Sequence, residues 1–226
     1  RILKESWSQT WAARPCKAKA EPYLRAYTRR FPTPHLPMPT VENVSETIRL
    51  SGDSAAGIDG VPFSFYRDFT SLASPLLHQV LVALCSGDPP PKDFNLGLGV
   101  FIPKVLDNTP ENTRPIAMTN TDNRLLAKTV ASYSLPSLAE TLSANQSAII
   151  PGRNITDNIQ AVTSAFYASL SKRSQMAILL TDFTKAFDSL HHSFLLKVLK
   201  KMEFPSFFVT LVIPTCCPGR RGGHPS

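Results

Sequence analysis

The sequence predicts an α+β fold, mostly helical with a few short strands. Three observations carry that expectation. Apolar residues recur at helical spacing in several windows of the 226-residue chain. Two or three short runs are apolar without that spacing. The two kinds of segment do not alternate strictly, as they would in a parallel βαβ chain. Hydrophobic residues make up 42% and charged residues 18%, which excludes a fully disordered chain. The length suits one large domain or two small ones.

Taken in order, Ile2, Leu3, Trp7 and Trp11 fall at near-helical spacing and predict a peripheral helical segment over 1–30. The run FPTPHLPMP, residues 31–39, can be neither helix nor central strand, and reads as an extended linker. Thr40 is a good N-cap for a helix carrying Val41, Val44 and Ile48, which Gly52 can end. AAGIDGVP (55–62) is turn chemistry throughout. Pro62 and Pro75 suit first helical positions, predicting helices near 62–70 and 75–86. SGDPPPKD (86–93) breaks the chain again. LGVFIP (98–103) reads as a buried strand and RPIAM (114–118) as a second. Asp122 can cap a helix with Leu125, Leu126, Val130 and Tyr133, which Pro136 should kink or end. Residues 144–160 run from a loop into a helix whose apolar face is Ile159, Val162 and Phe166, with Lys172 and Arg173 near its negative end. MAILLTDF (176–183) reads as an apolar strand ending on a carboxylate. Ser193 opens a last helix with Leu195, Leu196, Leu199 and Met202 inward. The main body is therefore expected over 40–212, and 213–226, rich in Pro, Gly and Arg, as an irregular tail.

The net charge is +7 and the pI near 9.4, which suits a polyanionic partner. The longest purely apolar run, Val80 to Cys85, is far short of the roughly 18 residues a membrane span needs. The first residues lack the apolar core of a secretory signal, so Cys16, Cys85, Cys216 and Cys217 are expected as reduced thiols in an intracellular protein, nuclear or cytoplasmic. Cys216, Cys217 and His224 lack a fourth ligand and make a poor zinc site. His191 and His192 are expected at the surface. No Walker-type phosphate loop is present.

The segment 178–199 is the most informative. An apolar strand would deliver Asp182 at its end, where a carboxylate is costly to bury without a partner or cation. Two readings of Asp182 fit equally from the residues alone. Its oxygens suit Mg²⁺ in a two-metal site, or it caps the following turn. Asp188 fits a cap or local ion pair better than a second ligand.

Four blocks, in this order, carry a resemblance: AGIDGVPFSFYRDF (56–69), VFIPK with NTRPIAMTNTDNRLLAK (100–104 and 112–128), QSAIIPGRNITDNI (146–159) and LLTDFTKAFDSLHHSFLLKVL (179–199). Together they resemble the reverse transcriptase domain of non-LTR (LINE-type) retrotransposons over about residues 40–212. The resemblance implies the fingers and an incomplete palm of a right-hand polymerase, an RNA template, a DNA primer, dNTP and Mg²⁺. It implies that Asp182 is the first metal-binding and catalytic aspartate. It places Phe187 under the sugar of the incoming nucleotide, where a large ring disfavours a 2′-hydroxyl. It places Lys104 and Arg114 near the triphosphate, whose growing charge needs cations. It places Arg153 and Asn154 near template and active site. Gly57 and Gly60 are expected to permit a tight turn, and Asp59 to hold it. The family's later aromatic-x-Asp-Asp block has no counterpart, since the sequence contains no Asp-Asp pair, and Ala148-Ile149 replace a usual Gly-Phe. The expectation is thus a reverse transcriptase fragment truncated before that block and inactive alone. A non-catalytic nucleic-acid-binding remnant and the product of a decayed element are the alternatives.

Overall fold

The computed structural model describes residues 2–11, 20–28, 35–104, 109–183, 186–187 and 190–216. Among them the fold is mixed, with nine α-helices, one 3₁₀ turn and a single two-stranded sheet. No helix among the described residues is long and apolar enough to cross a membrane.

Helix α3 (Val41–Arg49) starts as the sequence predicts. The N–H of Asn43 donates to Thr40 Oγ1 at 3.4 Å and the N–H of Thr40 donates to Asn43 Oδ1 at 2.9 Å, a reciprocal capping box. Val44 and Ile48, one turn apart, are fully buried. Helices α4 (Phe63–Asp68) and α5 (Thr70–Ser86) follow. Pro75 lies inside α5 instead of opening it. The helix begins earlier because Thr70 Oγ1 donates to the carbonyls of Arg67 and Tyr66, tying α5 to the end of α4. Helix α6 (Thr121–Thr141) opens at Asn120, not Asp122, and runs through Pro136 for another turn instead of ending there. The main core forms where α3, α4, α5 and α6 meet, around Val44, Ile48, Leu77, Leu81, Leu125 and Leu126.

Strands β1 (Gly97–Pro103) and β2 (Thr113–Thr119) pair antiparallel, Val100 opposite Ile116 and Ile102 opposite Arg114. The expected buried strand is in fact half open. Leu98, Val100, Ile102 and Ile116 stay 37–52% exposed because nothing described packs on that face. The other face meets helix α1 (Ile2–Trp11). Trp7 there is only 1% exposed, its indole N–H donates to Thr113 Oγ1 at 3.2 Å, and its ring lies 6.3 Å from that of Phe101. The N-terminal helix is therefore not peripheral. It backs the hairpin.

Helix α2 (Ala20–Thr28) lies on α8 (His192–Lys201), with Leu24 buried. Helix α9 (Ser206–Cys216) packs on α5 and α8 and builds a second core with Leu36, Leu199, Phe204 and Val209. Two expectations change here. The helix continues through 213–216, because the apolar run FFVTLVI places Val209 and Leu211 in the core and carries the backbone onward. Residues 217–226, with Cys217 and His224, lie outside the described residues. Of the expected linker, 35–39 is extended, yet Leu36 is buried and the His78 imidazole bonds the Pro39 carbonyl at 3.0 Å. It is a packed strap and not a free tether.

Helix α7 (Ile155–Ser171) forms where predicted, but its apolar face is uncovered, with Ile155, Ile159, Val162, Phe166 and Leu170 each 48–64% exposed. The predicted strand at 176–183 does not form. A strand needs a ladder partner, and the described sheet contains only β1 and β2, neither of whose outer edges pairs with this segment. Leu179 and Leu180 are accordingly 87% and 89% exposed.

Candidate functional site

The β1–β2 hairpin positions two of the sequence-predicted cations. Arg114 sits opposite Ile102. Lys104, just past the end of β1, keeps register by donating its N–H to the carbonyl of Asn112 at 2.7 Å. Side chains alternate along a strand, so Lys104 follows Ile102 onto the face that carries Arg114. Both are exposed. The structure thus brings Lys104 and Arg114 together as a cationic end to an open apolar face.

The turn at 57–61 is built by two glycines for different reasons. Gly60 has φ +72°, where a side chain is strained. Gly57 has no such φ. A Cβ there would lie 2.5 Å from both Cα and Oδ1 of Asn120, so the start of α6 leaves no room for it. Asp59 Oδ1 accepts the N–H of Val61 at 3.1 Å, the turn-holding role expected of it. Burial, with Asp59 and Asn123 acting in opposite senses, raises the Asp122 carboxyl above its ordinary value. Burial first, then Asp122 and Asp59, pushes the nearby Tyr66 hydroxyl to about 12.

Two cations that the sequence reading did not single out lock this region. Arg124 donates to Ser54 Oγ at 3.0 Å and the Ala55 carbonyl at 2.6 Å, and its guanidinium lies 4.8 Å from the Phe63 ring centre. One turn on, Lys128 donates to Ser51 Oγ at 3.1 Å. Their i, i+4 spacing on α6 was the available signal. What it could not reveal is that the face they share meets residues 50–63.

Arg153 and Asn154 are occupied locally. The Arg153 guanidinium donates to the carbonyls of Ala139 at 2.6 Å, Ser143 at 2.6 Å and Gln146 at 2.9 Å, with a longer bond to Leu142 at 3.4 Å. Those oxygens belong to the end of α6 and the turn after it, where carbonyls lack helical partners. Asn154 Oδ1 accepts the N–H of Thr156 at 3.0 Å and caps α7.

Asp182 lies outside any helix or strand and is exposed, and its Oδ1 accepts the N–H of the adjacent Phe183 at 2.8 Å. Phe187 is 88% exposed, so it is no core aromatic. Asp188 lies outside the described residues. Among the described residues no three His, Cys, Asp or Glu side chains gather where a metal ion could be held. A carboxylate oxygen suits a hard cation, but two metals need several such donors. The described residues by themselves do not fit a two-metal site.

The family model described as "Reverse transcriptase (RNA-dependent DNA polymerase)" matches residues 102–224, more than half of the chain. The chain belongs to the reverse transcriptase family. The match contains Lys104, Arg114, Arg153, Asn154, Asp182 and Phe187. A curated relative, the "Transposon TX1 uncharacterized 149 kDa protein" of Xenopus laevis, is 28% identical over 172 residues, 75% of this chain. The chain spans 13% of that protein's length. Both findings bear out the resemblance carried by the four sequence blocks.

Proposed function

We propose that residues 40–212 are the fingers and the first part of the palm of a LINE-type retrotransposon reverse transcriptase. In this reading the β1–β2 hairpin is the arm that meets the incoming dNTP, and Asp182 is the first catalytic carboxylate of the palm. The observation that carries it is the hairpin itself, which sets Lys104 and Arg114 on one exposed face within the family match. Two cations there neutralise the triphosphate and the charge that grows on the leaving pyrophosphate. The exposed Phe187 ring supports a place beneath the deoxyribose, excluding a 2′-hydroxyl by its bulk. The cation is Mg²⁺, the template RNA, the primer DNA, and the location intracellular. Because the 226 residues hold no Asp-Asp pair, they bind nucleotide without completing the chemistry.

The test separates binding from chemistry. Fluorescent dNTP should bind the chain, and Lys104→Ala with Arg114→Ala should weaken it by about tenfold or more, the worth of one lost charge-assisted contact at roughly 1.5–3 kcal/mol. Primer extension by the same chain should be undetectable. Unchanged dNTP affinity in the double variant, or extension abolished by Asp182→Ala, would overturn the reading.

A further inference from the structure

Helices α5, α6 and α9 do not close fully on one another. Between them lies a cleft of about 330 Å³ with one open mouth. Leu81 and Leu84 of α5, Leu126 and Val130 of α6, and Phe208 and Leu211 of α9 form its walls. Among the described residues no charged side chain lines it. Ala127 and Ala131 line it too and are exposed, which places them at the mouth. Their small side chains leave the space unfilled. Protein interiors hold few voids larger than a water molecule, so a cleft of this size is more than packing slack.

Two polar side chains of α6 reach this apolar lining. Asn123 is committed, since its Nδ2 donates to the Phe94 carbonyl and to Asn95 Oδ1, both at 3.0 Å. Ser134 is different. It is only 4% exposed and lines the cleft, yet its hydroxyl makes no hydrogen bond among the described residues. Thr129 on the same helix donates to the Leu125 carbonyl at 2.9 Å. A hydroxyl left without a partner in an apolar wall costs free energy. A ligand atom that accepts its proton recovers that cost.

We propose that this cleft binds an uncharged, largely apolar small molecule that carries one hydrogen-bond acceptor for Ser134 Oγ. Small-molecule sites commonly have this form, an apolar pocket of roughly 300–1,000 Å³ with a few placed polar groups, often between helices. The chemistry of the lining sets the ligand class. A nucleotide or a nucleic-acid strand would bury phosphate charge with no cation beside it, which is costly, so this site is distinct from the nucleotide site on the hairpin. The chain's own end does not fit either. Residues 218–226, which follow α9, are Pro, Gly, Arg, His and Ser, and offer no large apolar group to insert. What fits is a neutral ring or short chain that the leucines can cover, with its one polar atom held by Ser134.

The full 226-residue chain tests this with prodan, a neutral naphthalene bearing one ketone, whose emission shifts to the blue in apolar surroundings. Prodan should bind saturably at one molecule per chain. Ala131→Phe puts a ring in the mouth and should abolish that binding. Ser134→Ala should weaken it about threefold to tenfold, the worth of one neutral hydrogen bond. Phe166→Ser on the exposed face of α7 should leave it unchanged, which separates the cleft from adsorption to open apolar surface. Addition of dNTP should not displace the dye, which keeps the result independent of the hairpin assignment. Three results would overturn the proposal. One is saturable binding that is absent, or that survives unchanged in Ser134→Ala and in an Ala131→Phe chain with wild-type melting. Another is equal binding at the cleft of the anionic dye anilinonaphthalene sulfonate. The third is dye release as the chain dimerises, read by light scattering, which would give the cleft to a second copy.

Discussion

Replacing Arg153 by alanine should loosen the end of α6 and the start of α7 together. The guanidinium makes two bonds of 2.6 Å and one of 2.9 Å to the carbonyls of Ala139, Ser143 and Gln146. A hydrogen bond to a charged group contributes about 1.5–3 kcal/mol when its partner is shielded from water. Ser143 and Gln146 are exposed, and water replaces much of what they lose, so the bond to the partly buried Ala139 carbonyl dominates. The cation also faces the negative end of α6, adding roughly 0.3–1 kcal/mol. The sum is about 2–4 kcal/mol, equivalent to a fall of roughly 4–16 °C in Tm for a chain of this size. Arg153→Lys keeps the charge and loses the fork, and should fall about half as far. The assay is a thermal melt followed by circular dichroism, with RNA affinity measured on the same samples below the transition. If Arg153→Ala melts within a degree of wild type while RNA affinity drops, the side chain serves the template and the clamp described here is wrong.

Three further outcomes are expected. Gly57→Ala forces a Cβ to 2.5 Å from the Asn120 backbone and should cost about 1–3 kcal/mol by urea unfolding; Gly60→Ala meets no atom within 4 Å and should cost only the roughly 1–2 kcal/mol of its left-handed backbone. A smaller loss at Gly57 than at Gly60 would contradict this. Burial pushes the Cys85 thiol from 9.0 to about 11, so its thiolate fraction at pH 8 is about a hundredfold below that of an ordinary thiol. Peptide-level alkylation should find Cys85 unmodified until the chain unfolds, and rapid native labelling would refute its burial. Asp122 binds its proton more tightly folded than unfolded, because burial raises its carboxyl above 3.8. Stability from this group is therefore fully present below 3.8 and lost as pH rises through the folded value. Asp122→Asn should gain on wild type in urea midpoint as pH is raised from 3.5 to 7, and a constant difference would refute the shift.

Much of the local structure was legible because its causes are local. Thr40 and Asn43 form a capping box whatever α3 packs against, and Asp59 holds its own turn through Val61. The two strands were legible as well, since LGVFIP and RPIAM are short, apolar and bounded by turn residues. Pro136 misled because a proline's cost in a helix is weighed against packing, and α6 holds Leu125, Leu126 and Thr129 in the core. The candidate site divides the same way. Lys104 and Arg114 could be named from their blocks, but their shared face follows from strand register. Arg153 reads as a template-side cation until the carbonyls of α6 arrive around it.

The sequence by itself determined the family, through four blocks in order, and the helix caps and turns, which depend on neighbours within a few residues. Tertiary structure alone decided which cations are spent and which are free. Arg124, Lys128 and Arg153 are held by oxygens brought from 10 to 77 positions away, whereas Lys104, Arg114, Lys197 and Lys200 remain open to solvent. It also decided that 176–183 is no strand, because a ladder needs a second chain segment beside it, and no pattern within one segment can supply that.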